Sequence, residues 1–292
     1  MTFPNLFIIG AMKAGTSSLH EYLHQHPEIF MARFKEPQYF APHLTRWGQA
    51  WGQGNPYPEP DMDWYLKLFA EAGAVTYAGE SSVSYAARPW VEGCERRIHA
   101  FNPEARIIYL LRDPVERALS HYWHFVADGR EDLDPLTAVQ RKPDYIARSD
   151  YAMQIEPYLE TFGRSQVYVL TIEELNADPI VTFGRLFAWL SVRQDVRIDT
   201  ATSYNVGAKK LRQTRRGLVP VDTMRKHWRW KEMEPKVPAA ISRALERLTY
   251  RTVRKADVDE TPAVEYLHPI LTQRTRRLSE LTGRAFPEWP RR

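Results

Sequence analysis

The sequence predicts one three-layer α/β domain spanning residues 1–292, with a mainly parallel central sheet flanked by helices. Short apolar, β-rich runs alternate with longer helical patterns, which requires crossover connections between neighbouring strands. No internal repeat and no Ser/Gly-rich linker divides the chain. Its 292 residues are 43% hydrophobic, enough for a sizeable core.

The strand candidates, in order, are Leu6–Ile9, a weaker one at Thr76–Gly79, then Arg106–Leu111 and Gln166–Thr171. Helical patterns begin near Thr16, Asp63, Ala87, Pro114, Asp150, Pro179, Val237 and Ala263. The first follows an unbroken apolar strand and places Leu19 and Leu23 one turn apart. The helix at Pro114 carries its own start signal: Asp113 at N-cap, Pro114 at N1 and Glu116 at N3. Two segments read instead as site loops. Residues 42–61 hold four prolines, three glycines and two tryptophans, and residues 203–236 are basic and aromatic without clear periodicity.

Composition excludes several classes. Low-complexity disorder does not fit 12% aromatic residues, and a disulfide scaffold does not fit one cysteine, Cys94. No apolar stretch is long enough for a membrane span, and the start reads as no secretory signal. A reducing, cytoplasmic setting is expected, with Cys94 half-buried and without a redox role. The net charge of +4 is too mild to argue for nucleic acid. Between residues 209 and 229, however, eight basic residues face one acid, Asp222. That stripe suits a small polyanion, an anionic acceptor or a solvated loop.

The sharpest local signal is Leu6-Phe-Ile-Ile-Gly10-Ala-Met-Lys13-Ala14-Gly15-Thr16-Ser17-Ser18-Leu19. A buried strand runs into a glycine-flanked turn and then a helix, whose N-terminus presents unpaired N–H groups and partial positive charge to a phosphate. Thr16, Ser17 and Ser18 add hydroxyls, and Lys13 adds a point charge. Ser18 with Glu21 also fits a capping box, which would need no ligand. The loop is P-loop-like without being a Walker A loop, because no Lys precedes Thr16. A Mg²⁺-dependent kinase or phosphotransferase is therefore the secondary enzyme reading, and a non-catalytic nucleotide-binding protein the third.

This loop resembles the 5′-phosphosulfate loop of sulfotransferases that use 3′-phosphoadenosine 5′-phosphosulfate (PAPS), of the bacterial and heparan-sulfate type. Arg112-Asp-Pro-Val-Glu-Arg117-Ala-Leu-Ser120-His-Tyr122 resembles the family's R-D-P-x-x-R-A-x-S-x-Y, whose Arg and Ser grip the 3′-phosphate. Lys35-Glu36-Pro37-Gln-Tyr-Phe40 is similar to K-E-P-x-F-F, and Gly79-Glu80-Ser81-Ser82-Val-Ser-Tyr85 to the G-E-K/A-S/T-P-x-Y strand end. Asp63-Trp-Tyr65, the segment from Val167 to Pro179 and the closing helix extend the likeness over nearly the full length.

The resemblance implies PAPS as co-substrate and no metal. It assigns Lys13, Ala14, Gly15, Thr16, Ser17, Ser18, Arg112 and Ser120 to the nucleotide, with Gly207, Lys209 and Lys210 as a covering loop. Lys13 and Glu36 become the catalytic pair, Glu36 as general base. Glu80 is a second base candidate, and Lys35, Glu80 and Tyr85 are acceptor contacts. His20 and His24 read as an exposed stripe, and His121 and His124 as packing or hydrogen-bonding residues rather than bases. Ser81 replaces the usual Lys of the glycosaminoglycan enzymes, and a single cysteine cannot form their loop disulfide. Both departures count against a heparan-like acceptor. A small molecule, glycan, lipid or carrier-bound chain stays open as the acceptor partner.

Overall fold

A computed structural model describes residues 3–41, 61–202, 210–214, 218 and 248–289. The expected loop at 42–61 therefore lies outside the described residues apart from Asp61. So does the segment 203–236 apart from 210–214 and 218, together with the helix expected near Val237. The contacts group the chain into two compact units, Met1–Arg117 with Ala147–Asn205 and Leu271–Arg292, and Ala118–Ile146 with Val206–Ile270.

The first unit is built on a five-stranded parallel sheet of order β2-β3-β1-β4-β5. The strands are β1 (Leu6–Gly10), β2 (Ile29–Met31), β3 (Tyr77–Ser81), β4 (Arg106–Leu111) and β5 (Val167–Thr171). β1 and β3 are buried at every residue, and β4 at all but its first. Burial on both faces is why β1 and β4 read as continuous apolar runs rather than as alternating patterns, whereas β3 ends on the buried polar pair Glu80 and Ser81. Gly79 is required where β3 threads between β2 and β1: a Cβ there would stand 2.7 Å from Met31 Sδ and 3.0 Å from the Leu6 carbonyl oxygen.

The helices along the chain are α1 (Thr16–His24), α2 (Met62–Lys67), α3 (Cys94–Phe101), α4 (Pro114–Ala127), α5 (Pro135–Arg141) and α6 (Asp144–Ala147). They continue with α7 (Tyr151–Phe162), α8 (Ile172–Ala177), α9 (Pro179–Leu190) and α10 (Thr261–Thr282). The helix expected from Ala87 begins only at Cys94. Gly93, in the left-handed region at φ 76°, forms its N-cap, and the preceding residues turn instead. Cys94 is fully rather than half buried, and that burial pushes its thiol up to about 12. No helix among the described residues is long and apolar enough to cross a membrane.

The second unit holds an antiparallel pair, β6 (Lys210–Thr214) and β7 (Tyr250–Arg254), and most of α4. Its buried carboxylate, Glu131, accepts bonds from Lys142 Nζ at 2.8 Å and Tyr145 Oη at 2.6 Å. His121, buried completely, packs edge-on against Phe125 and Tyr145. It packs among aromatic rings, within the packing or hydrogen-bonding role expected of it.

Candidate active site

β1 ends at Gly10 and hands the chain to a tight loop. Ala11 N–H donates to the Leu110 carbonyl on β4 at 2.6 Å, and Ala14 N–H to the Ala11 carbonyl at 3.0 Å. Lys13 stands in the left-handed region at φ 71°, sparsely populated for a residue with a Cβ. Gly15, at φ 98°, is the N-cap of α1 with no side-chain cap, so the Ser18–Glu21 capping box does not form and Ser18 lies inside the helix. A Cβ on Gly15 would meet Ile172 Cδ1 at 2.9 Å. Lys13, Ala14, Gly15, Thr16, Ser17 and Ser18 thus follow one another through the loop and the first turn of a nine-residue helix. An ammonium, three hydroxyls and a helix N-terminus form a donor set suited to a phosphate-sized anion.

Sequence reasoning gave Arg117 no role, yet it braces this loop. It is completely buried, its Nε donates to Ser149 Oγ at 2.6 Å, and its Nη1 reaches the Met12 carbonyl at 3.5 Å. Ser149 in turn donates to the Pro114 carbonyl at 2.8 Å. The available signal was position: Arg117 falls among Val115, Ala118 and Leu119, all buried.

At the end of β4, Asp113 caps α4 as expected, its Oδ1 accepting from the N–H groups of Val115 and Glu116 at 2.9 Å each. Burial raises the pKa of the Asp113 carboxyl. Arg112 is partly exposed and pairs with Glu116 at 3.2 Å. Ser120 is half-buried on α4 and belongs to the second unit. Gly207 and Lys209 lie outside the described residues, and Lys210 opens β6.

One strand over from the loop, the end of β3 gathers two carboxylates, Glu80 on the strand itself and Glu36 on the turn after β2. Ile8 of β1 lies in register with Ser81, and Ser82 N–H donates to the Ile8 carbonyl at 3.0 Å, so loop and carboxylates leave the same edge of the sheet. Glu36, in the left-handed region at φ 60°, has Oε1 on Lys35 Nζ at 2.7 Å and Oε2 on Val83 N–H at 2.9 Å. Arg33, three residues before Glu36, pairs with Glu71 at 3.2 Å. Glu80 is fully buried and accepts from Tyr85 Oη at 2.6 Å, Ser82 Oγ at 2.7 Å and Tyr65 Oη at 3.2 Å. Burial outweighs these bonds and lifts its carboxyl to about 7. Glu80 and Tyr85 are sealed inside rather than presented to an acceptor.

The histidine stripe is corrected in part. His24 is exposed, but His20 is buried, with Nδ1 2.8 Å from Ser81 Oγ. Burial first, and the Lys35 charge second, lower it to about 4, so it is neutral near pH 7. Among the described residues, no group of three or more His, Cys, Asp or Glu side chains could hold a metal ion.

A family model described as the sulfotransferase family matches residues 4–195. The chain belongs to the sulfotransferase family. This sulfotransferase is 28% identical to the crystal structure of a sulfotransferase from Alicyclobacillus acidocaldarius, with a TM-score of 0.70 and 99% of each chain covered. It is 27% identical over 217 residues to the bifunctional heparan sulfate N-deacetylase/N-sulfotransferase 1 of Mus musculus, covering 66% of this chain and 23% of that protein. It is 27% identical over 207 residues to heparan sulfate glucosamine 3-O-sulfotransferase 6 of Homo sapiens, covering 66% of this chain and 54% of that one. This sulfotransferase therefore spans between about a quarter and a half of these two curated relatives.

Proposed function

We propose that this chain transfers a sulfuryl group from PAPS to a hydroxyl or amine of an acceptor and releases 3′-phosphoadenosine 5′-phosphate (PAP). The observation that carries the reading is the shared sheet edge, where the Lys13 loop leaves β1 and the Glu36 carboxylate is held against the end of β3. In the reaction the acceptor oxygen or nitrogen attacks sulfur in line, and the bond from sulfur to the bridging oxygen breaks. Glu36 takes the acceptor's proton. The Lys13 ammonium stabilises the negative charge that collects on the departing phosphate oxygen. Loop amides and the Thr16, Ser17 and Ser18 hydroxyls hold the 5′-phosphate, and the Arg112 and Ser120 pair of the R-D-P motif is assigned to the 3′-phosphate.

For the acceptor, side chains around Lys35 favour one with a sugar ring or another apolar face. Phe34 and Met62 are each 41% exposed, and Trp64 meets Phe34 edge-on at 5.6 Å. A reducing cytoplasm suits a chain whose one cysteine is buried and unreactive.

The test is calorimetric titration with PAP, then with ADP and ATP with and without Mg²⁺. It is followed by transfer of label from ³⁵S-PAPS to a panel of desulfated polysaccharide, a simple phenol and a long-chain alcohol. Metal-independent binding that requires the 3′-phosphate, with label moving to one acceptor, is the expected result. Preference for ATP with Mg²⁺ would install the kinase reading, and PAP binding with no transfer to any acceptor the non-catalytic one.

A further inference from the structure

The turn Glu36-Pro-Gln38 is held under strain. Glu36 and Gln38 both lie in the left-handed region, at φ 60° and 55°, which residues with a Cβ rarely occupy. Such a turn persists only if its surroundings over-determine it, and here they do so residue by residue. Glu36 N–H donates to the Ser81 carbonyl at 2.9 Å. Gln38 N–H donates to Ser82 Oγ at 3.0 Å, and Phe40 N–H to Tyr85 Oη at 3.2 Å. Val83 N–H closes the set on the Glu36 side chain itself.

Two of those anchors are hydroxyls, which can donate as well as accept. What fixes their sense is Glu80. Its Oε2 takes the Ser82 proton and its Oε1 the Tyr85 proton, which turns a lone pair of each hydroxyl toward the turn's N–H groups. The titratable and charged groups around it are few. Tyr65 on α2 shares Oε1, Tyr85 follows β3, and Glu36 lies across the turn with Lys35 as its own partner. Neutral His20 on α1 bonds the neighbouring Ser81.

We propose that Glu80 is a positioning residue: acting through Ser82 and Tyr85, it locks the strained turn that presents Glu36 to the acceptor. This rests on the sulfuryl-transfer reading for Glu36, but the lock itself is a property of the scaffold. It also explains why a second carboxylate at the site is sealed from solvent. Glu80 orders the hydroxyls that order the base, and touches no substrate itself.

The experiment uses Ser82→Ala and Tyr85→Phe, each removing one anchor while leaving Glu80 buried, alongside Glu80→Gln. Amide exchange is followed in the peptide covering 33–41 and in the phosphate-loop peptide. PAP affinity is measured by calorimetry, and kcat and KM with the best acceptor of the panel above. Exchange at 33–41 is expected to rise about tenfold or more while the phosphate loop and PAP affinity stay at wild-type values. kcat should fall roughly tenfold to a hundredfold, as expected for a displaced catalytic group. The loss should fall on kcat with the acceptor KM and PAP affinity retained. A merely structural defect would lower stability without that split. Wild-type exchange at 33–41 in both Ser82→Ala and Tyr85→Phe would overturn the proposal, as would faster exchange with an unmoved kcat. If wild-type protein transferred no label but the exchange response held, the sulfuryl reading would fall and the lock would stand.

Discussion

The phosphate loop and the Lys35–Gln38 turn leave the same edge of one sheet, yet they are held by different means. The loop is set by chain geometry: a buried strand, a left-handed glycine and a helix start define it, and Arg117 supports it from below. The turn has no such frame. It is a strained segment pinned by backbone and hydroxyl bonds whose polarity depends on a buried carboxylate. A loop of the first kind is robust and suits binding, which must precede chemistry. A turn of the second kind is precise but conditional, and suits a proton-transfer group placed to within a hydrogen bond.

Substitutions can break that contrast, starting with the chemistry. Glu36→Gln should lower kcat about a thousandfold with PAP affinity unchanged, read from label transfer and calorimetry on the same preparation. Lys13→Ala should cost roughly a few hundredfold in kcat and weaken PAP as well; loss confined to kcat would place Lys13 away from the bound phosphate.

The burial of Glu80, as distinct from the lock it exerts on the turn, has a pH signature. Because burial holds the Glu80 carboxyl at about 7 in the folded chain, against 4.5 as the ordinary value, the native state keeps a proton that the unfolded chain releases. Its contribution is full below about 4.5 and is lost as pH rises through 7. The stability of wild type relative to Glu80→Gln should therefore fall by about 3 kcal/mol between pH 4.5 and 8. Urea unfolding at the two pH values measures it, and a flat difference would mean the carboxyl is not perturbed.

The geometric nature of the loop gives the next test. Gly15→Ala forces a Cβ against Ile172 at a left-handed φ, and should cost about 2 kcal/mol by thermal or urea unfolding. Smallest is Trp64→Ala, expected to raise the acceptor KM roughly threefold to tenfold with kcat retained, in line with about 1 kcal/mol for a partly exposed aromatic contact. An unchanged KM would move acceptor contact away from the Phe34–Trp64 face.

The same division governs what could be read from sequence. β1 and β4 were legible because burial on both faces leaves no polar residue to break the run, β5 because it is a short β-branched and aromatic run, and α4 because Asp113, Pro114 and Glu116 spell its start. β2 was not, since three residues, Ile29–Met31, carry no periodicity; pairing to β3 alone makes them a strand. The helix expected from Ala87 was misplaced because apolar spacing gave no warning that Gly93 would set its cap. In the site, Lys13 and its hydroxyls were visible as a local pattern. The work of Glu80 was not, because a surface and a sealed carboxylate have the same letter, and only partners from residues 65, 82 and 85 tell them apart. His20 was misread for the same reason: its helix position looked exposed until Ser81 supplied a buried partner.

The parallel order of the main sheet bears on how the protein comes to be active at all. Every pairing in it joins distant parts of the chain, Leu6 with Gly79 and with Arg106, Ile29 with Tyr77, Ile107 with Val167. Such a sheet cannot zip up hairpin by hairpin, and long-range closure makes its assembly slow. The Glu36 turn waits on an additional closure, because its anchors lie on and just after β3 while the turn itself follows β2. During refolding, nucleotide affinity should thus return before turnover, with the edge strand β2 arriving last.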